Sequence, residues 1–234
     1  MFQESRQHFT NAAELLTIMD ADNASPALDS SYFTTYGHTF WAKEDAKVSG
    51  NAWRIDENGA LVSVSKGEAN SVLCVRVHDY DAPESRFTAT DETVKDNESG
   101  LMWQKQPVAS RTWAEALNYC EEVATSDKFD WRLPNRNELA SLINYEKASG
   151  ATSDFPAIAA KGFWTSTTDI SSAANAWTVD FATGSISSTE KTSTKYIICV
   201  RNDEPCFGDE CPNVCGFDQC RNMDNSTGLC TAGD

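Results

Sequence analysis

One stretch of this chain is written twice. Residues Glu14 to Arg76 and Glu138 to Arg201 match feature by feature. Each copy opens on Asn-x-x-Glu-Leu, at Asn11-Ala-Ala-Glu14-Leu15 and Asn135-Arg-Asn-Glu138-Leu139. Asn at an N-cap with Glu at N3 is a capping-box pattern, so each opening predicts a helix start. Leu15, Ile18 and Met19, like Leu139, Leu142 and Ile143, then recur at helical spacing. Phe40-Trp41 and Phe163-Trp164 follow, then Ala52-Trp53 and Ala176-Trp177, then the turn glycines Gly59 and Gly184. Both copies close on the same tripeptide, Cys74-Val-Arg76 and Cys199-Val-Arg201. A repeat of this length must form equivalent structure twice.

The second copy carries a front half that the first lacks. Lys95 to Trp103 reads as a turn and short strand, and Thr112-Trp-Ala-Glu115 as a capping box. The helix it starts puts Trp113, Ala116, Leu117, Cys120 and Val123 on one apolar stripe. Trp177, Val179 and Phe181 alternate with polar residues, as in a half-buried strand; Tyr196 to Val200 reads as a strand buried on both faces. Ser171 to Ala174 and Ser185 to Thr194 read as loops. Helices and short strands without a βαβ rhythm predict an α+β class. The expected units are 1–80, a truncated first repeat; 81–203, a complete repeat; and 204–234, a Cys-rich tail.

The eight cysteines sharpen the expectation. Cys120 and Cys199 lie on an apolar helix stripe and an apolar strand, which suits a buried bond between them. Cys74 either bonds a tail cysteine or stays unpaired. Cys206, Cys211, Cys215, Cys220 and Cys230 crowd into the last 29 residues, a density typical of disulfide-stapled modules. A zinc site is the competing reading of Cys206-x4-Cys211-x3-Cys215-x4-Cys220, but no His lies nearby. Disulfides imply an oxidising compartment. Met1 to Arg6 lacks the basic and apolar regions of a signal peptide, so a mature secreted or cell-surface chain is expected.

Charge excludes whole partner classes. With 19 Lys+Arg against 35 Asp+Glu, the net charge is −16, unsuited to nucleic acid or anionic lipid. No apolar run approaches the roughly 20 residues of a spanning helix, so no membrane insertion is expected. Catalytic signals are poor: His8, His38 and His78 have no counterparts in the second copy, and no phosphate loop or nucleophile elbow occurs. Asp20-Ala-Asp22 and Asp209-Glu210 could serve calcium, but no EF-hand-like loop surrounds them. Calcium is thus conceivable without motif support, and no cofactor is expected. The repeated tryptophans read either as core or as sugar-stacking platforms, and packing amid apolar neighbours favours core.

Several motifs together resemble the C-terminal domain family of the Legionella collagen-like adhesin. They are Ser99-Gly-Leu-Met-Trp-Gln104, Trp113-x2-Ala-x3-Tyr-Cys120, Asp130-Trp-Arg-Leu-Pro-Asn-x2-Glu-Leu139, Phe163-Trp-Thr-Ser-Thr167 and Cys199-Val-Arg201. The resemblance covers about residues 88–203 in full and about 8–78 in part. It implies C-type-lectin-like domains in tandem, on a bacterial surface or secreted protein, used for adhesion rather than catalysis. The ligand would be a surface carbohydrate or protein. The sulfated glycans linked to that adhesin do not carry over: residues 82–203 hold 12 Lys+Arg against 17 Asp+Glu. A ligand site is expected on the loops around 167–175 and 185–195. The alternative function is a structural subunit of a surface fibre or layer, a homo-oligomer assembled through the incomplete first repeat.

Overall fold

In the computed structural model, the residues described are 7–19, 28, 39–76, 85–126, 128, 130–145, 155, 158, 160–202, 221–223 and 230–232. The first copy supplies β1 (Gln7–Phe9), α1 (Ala12–Thr17), β2 (Phe40–Asp45), β3 (Asn51–Ile55), β4 (Leu61–Ser65) and β5 (Cys74–Arg76). The front half of the second supplies β6 (Phe87–Ala89), β7 (Thr93–Asp96), β8 (Leu101–Gln104), β9 (Val108–Arg111) and α2 (Trp113–Glu122). Its repeated half supplies α3 (Arg136–Ser141), β10 (Gly162–Thr168), β11 (Asn175–Asp180), β12 (Ile186–Glu190), β13 (Lys195–Ile197) and β14 (Val200–Asn202). Two tail strands, β15 (Arg221–Met223) and β16 (Cys230–Ala232), pair with each other.

The α+β expectation is corrected: the described residues are 42% strand and 14% helix. The capping boxes do start helices. Asn11 accepts from Glu14 N at 2.7 Å and Asn135 from Glu138 N at 2.8 Å, with the reciprocal carboxylate bonds made in each. Yet α1 and α3 run only six residues apiece. Leu142 and Ile143, expected on the second helix, fold back in a turn whose amides reach Leu139 and Ala140 at 3.3 and 3.0 Å.

The tandem, C-type-lectin-like arrangement is corrected as well. The strands form one eight-stranded sheet, β2-β3-β4-β12-β11-β10-β13-β9, and a four-stranded sheet, β14-β8-β7-β6, besides two isolated pairs. Both copies therefore share the large sheet. Within it they keep the same register: Trp53 faces Ser63 and Ile55 faces Leu61, as Trp177 faces Ser188 and Val179 faces Ile186. The copies meet where β4 pairs with β12 in antiparallel fashion, Leu61 against Ile186. These two residues are counterparts in the repeat, so the halves join about a pseudo-twofold axis. Pairing satisfies two strand edges that separate domains would leave exposed.

The core follows from the same alternation. Trp53, Ile55, Phe163, Trp177, Val179 and Ile186 belong to the main core with Leu15, Leu16, Leu139 and Leu142 from the α1 and α3 regions. Their neighbours Trp164 and Ala176 face the other way, into a second cluster with Ala116, Cys120, Ile197 and Cys199. β11 is consequently buried on both faces rather than one: Ala176, Trp177, Thr178 and Val179 are all buried. Ser185 to Thr194, expected as a loop, contains β12, because its hydroxyl-rich run pairs along the whole of β11. The single strand expected at Tyr196 to Val200 is split between the two sheets as β13 and β14.

Candidate functional site

The two loops singled out in the sequence come together at the edge of the second copy. β10 ends at Thr168, and the chain turns through Asp169 before β11. Asp169 N donates to Asn175 O at 3.1 Å, Ser172 N to Asp169 O at 3.0 Å and Asn175 N to Ser172 O at 2.8 Å. The Asp169 carboxylate is nearly buried and accepts from Ser171 N at 2.9 Å and from the Ser188 hydroxyl on β12. Ser188 in turn accepts from Asn175 Nδ2 at 3.0 Å. Lys191 N, just past β12, donates to Ala174 O at 2.9 Å. The result is one braced face of hydroxyl, amide and backbone groups, with Ser171, Ser188 and the 51% exposed Ile170 at its surface.

A third element borders this face that sequence reasoning missed. Trp113, at the start of α2, donates Nε1–H to Thr165 O at 2.8 Å, and its own amide donates to Lys191 O at 3.1 Å. Lys191 Nζ sits 4.0 Å from the Trp113 ring centroid and donates to Thr168 Oγ1 at 2.9 Å. Burial holds the Lys191 ammonium below the ordinary lysine pKa. Trp113 and Lys191 are far apart in sequence, and no local signal joins them. The contact also places the ammonium over a face of Trp113, the position a stacking sugar would need. At the α2 N-terminus, Glu115 accepts from Thr112 N at 2.9 Å and Oγ1 at 2.8 Å. Those bonds, with Arg111 nearby, lower its carboxyl pKa.

Five of the other six tryptophans serve as framework. Trp53, Trp103, Trp131, Trp164 and Trp177 are each no more than 3% exposed. Cys120 and Cys199 form a disulfide between α2 and the β13–β14 connection, both sulfur-bearing residues fully buried. Cys74 is exposed and has no disulfide partner among the described residues. Cys206, Cys211, Cys215 and Cys220 lie outside the described residues, as do Asp20, Asp22, Asp209, Glu210, His38 and His78; Cys230 and His8 are described in backbone only. Among the described residues no group of three or more His, Cys, Asp or Glu side chains could hold a metal ion.

A shallow cleft lies where the two copies meet, lined by Asn11, Glu44, Arg86, Asn144 and Tyr145 among others. Its polar groups are engaged in structure. Glu44 accepts from Ala12 N at 3.0 Å, Arg86 pairs with Asp96 at 2.9 Å, and the Tyr145 hydroxyl donates to Gly184 O at 3.2 Å. Burial, with the Glu44 carboxylate adding to it, pushes the Tyr145 pKa far up.

No curated protein matches the chain. Among the described residues no helix is long and apolar enough to cross a membrane. Residues 92–201 match the family model described as the Lcl C-terminal domain. That span holds β7 to β13, nearly all of β14, both bonded cysteines and the whole braced loop face. An adhesin-like domain closed by a disulfide is consistent with an extracellular or surface location. Over this segment the chain is similar to the Lcl C-terminal domain family.

Proposed function

We propose that the protein is an extracellular, non-enzymatic binding module of the adhesin type, recognising a surface carbohydrate or protein. The observation that carries this reading is the family match at 92–201, the same span that builds the braced face of residues 168–175 and 186–191. A hydroxyl- and amide-rich surface on a disulfide-closed scaffold suits hydrogen-bond recognition of a polar ligand with little ordering cost. The net charge of −16 turns the proposal away from sulfated or phosphorylated polymers. With the Trp113 ring engaged by Lys191, recognition would rest on polar contacts more than on aromatic stacking.

The test is binding of the intact, oxidised protein to a glycan array and to immobilised surface proteins, in calcium and again in chelator. Ile170→Arg and Ser171→Arg place bulk on two exposed positions of the face. Binding that falls at least tenfold in these variants, with unfolding midpoints unchanged, supports the reading. Binding indifferent to both substitutions removes this face from the proposal, and silence on every surface overturns the adhesive reading. Signal lost only in chelator would add a calcium requirement.

A further inference from the structure

The repeat provides its own internal control. In the second copy the α2 side of the large sheet is sealed: Trp164, Ala176, Ile197 and Cys199 are all 0% exposed beneath α2 and its neighbours. Their counterparts in the first copy are Trp41, Ala52, Val72 and Cys74. The structural correspondence is close. Phe40 bridges Ser71 in parallel as Phe163 pairs with Tyr196, and in each closing tripeptide the cysteine comes one residue before the valine. Yet Val72 is 55% exposed, Cys74 is exposed, and Trp41 and Ala52 are only half-buried. β5 pairs on one side with β1, while β14 has β8 as well as the Arg132 bridge. Among the described residues nothing takes the place of α2 and β8 over the first copy.

We infer that the C-terminal tail docks on this patch, and that one of its cysteines bonds Cys74 where Cys120 bonds Cys199 in the other copy. The tail follows β14, and residues 203–220, 224–229 and 233–234 of it lie outside the described structure. It carries five cysteines. With Cys120 and Cys199 already joined, five tail thiols cannot all pair among themselves, and Cys74 is the remaining thiol. The tail also supplies Phe207, Val214, Phe217 and Leu229, apolar side chains of the kind that a Trp41–Val72 surface would bury.

The bond forms by thiol–disulfide exchange with a disulfide-bearing oxidant. The Cys74 and tail thiols together give up two protons and two electrons, the Sγ–Sγ bond forms, and the oxidant's own disulfide is reduced to two thiols.

The experiment uses the full chain purified under oxidising conditions. Thiol titration after denaturation should find no free thiol. A non-reduced digest analysed by mass spectrometry should contain the Cys74 peptide linked to one bearing Cys206, Cys211, Cys215, Cys220 or Cys230. Cys74→Ser should release one titratable thiol, located in the tail, with the protein still monomeric on a non-reducing gel. A Cys74 that titrates as a free thiol in the wild-type chain overturns the inference. So does a Cys74 bond between two chains, seen as a dimer that Cys74→Ser abolishes; that result would make the patch an assembly surface.

Discussion

Gly184 is where the interlocking of the two copies can be measured. It sits in the β11–β12 turn at φ +84°, with its amide donating to Asp180 O at 2.6 Å. A Cβ placed there would lie 2.9 Å from Cζ2 and 3.2 Å from Cη2 of Trp53, a residue of the first copy. Trp53 has little room to yield, being 3% exposed and edge-on to Tyr145 at 5.5 Å between ring centroids. Gly184→Ala should therefore incur two costs: about 1–2 kcal/mol for a left-handed backbone and about 1–3 kcal/mol for overpacking. Gly100 is the control, with φ +70° and nothing within 4 Å of the point where a methyl group would sit. Gly100→Ala should cost only the backbone part, about 1–2 kcal/mol. Urea unfolding followed by tryptophan fluorescence reads both. Combining Gly184→Ala with Trp53→Leu should recover part of the penalty, a coupling of about 1–3 kcal/mol. If Gly184→Ala costs within about 0.5 kcal/mol of Gly100→Ala and the cycle is additive, the copies do not pack as described.

Three further outcomes follow from the same structure. Cys120→Ala with Cys199→Ala opens a loop with a sequence separation of 79, so stability should fall by about 4–5 kcal/mol. Calorimetry should show a melting temperature about 10–18 °C lower, and a drop of only a few degrees would refute the loop-entropy account. Arg136, 1% exposed on α3, donates to Met19 O at 3.3 Å and Gly59 O at 3.5 Å in the other copy and lies 5.1 Å from the Trp177 ring centroid. Arg136→Met keeps much of the stem's bulk but strands those carbonyls, and urea unfolding should register a loss of about 2–4 kcal/mol. Tyr145 has a folded pKa raised above its unfolded value. Its contribution is complete below about pH 10 and is lost as pH rises beyond, with a slope of up to about 1.4 kcal/mol per pH unit. Tyr145→Phe should flatten that alkaline limb, and an unchanged limb would show that another group causes it.

Local chemistry was legible in the residues. Both Asn-capped helix starts and the α2 stripe were read from spacing that short-range geometry imposes: a capping carboxylate must lie three residues on, and a helical face recurs every three to four; the buried disulfide was read from two cysteines on apolar elements. The burial of Trp53 and Trp177 was equally visible, since each sits in an alternating apolar run. The loops nominated for the site are neighbours in the structure, but their bracing by Asp169 and Ser188, and the Lys191–Trp113 contact, join residues with no shared local pattern. Sheet membership was hidden for the same reason. Alternation marks β11 as a strand but says nothing about which edges meet, and the hydroxyl-rich run that forms β12 carries no such alternation and reads as a loop. The pairing of Leu61 with Ile186 turned two expected domains into one sheet, because only tertiary structure decides how exposed backbone edges find partners. The sequence alone determined that the chain builds the same half twice; the tertiary structure decided that the halves fuse, and that α2 covers one while no described element covers Val72 and Cys74 in the other.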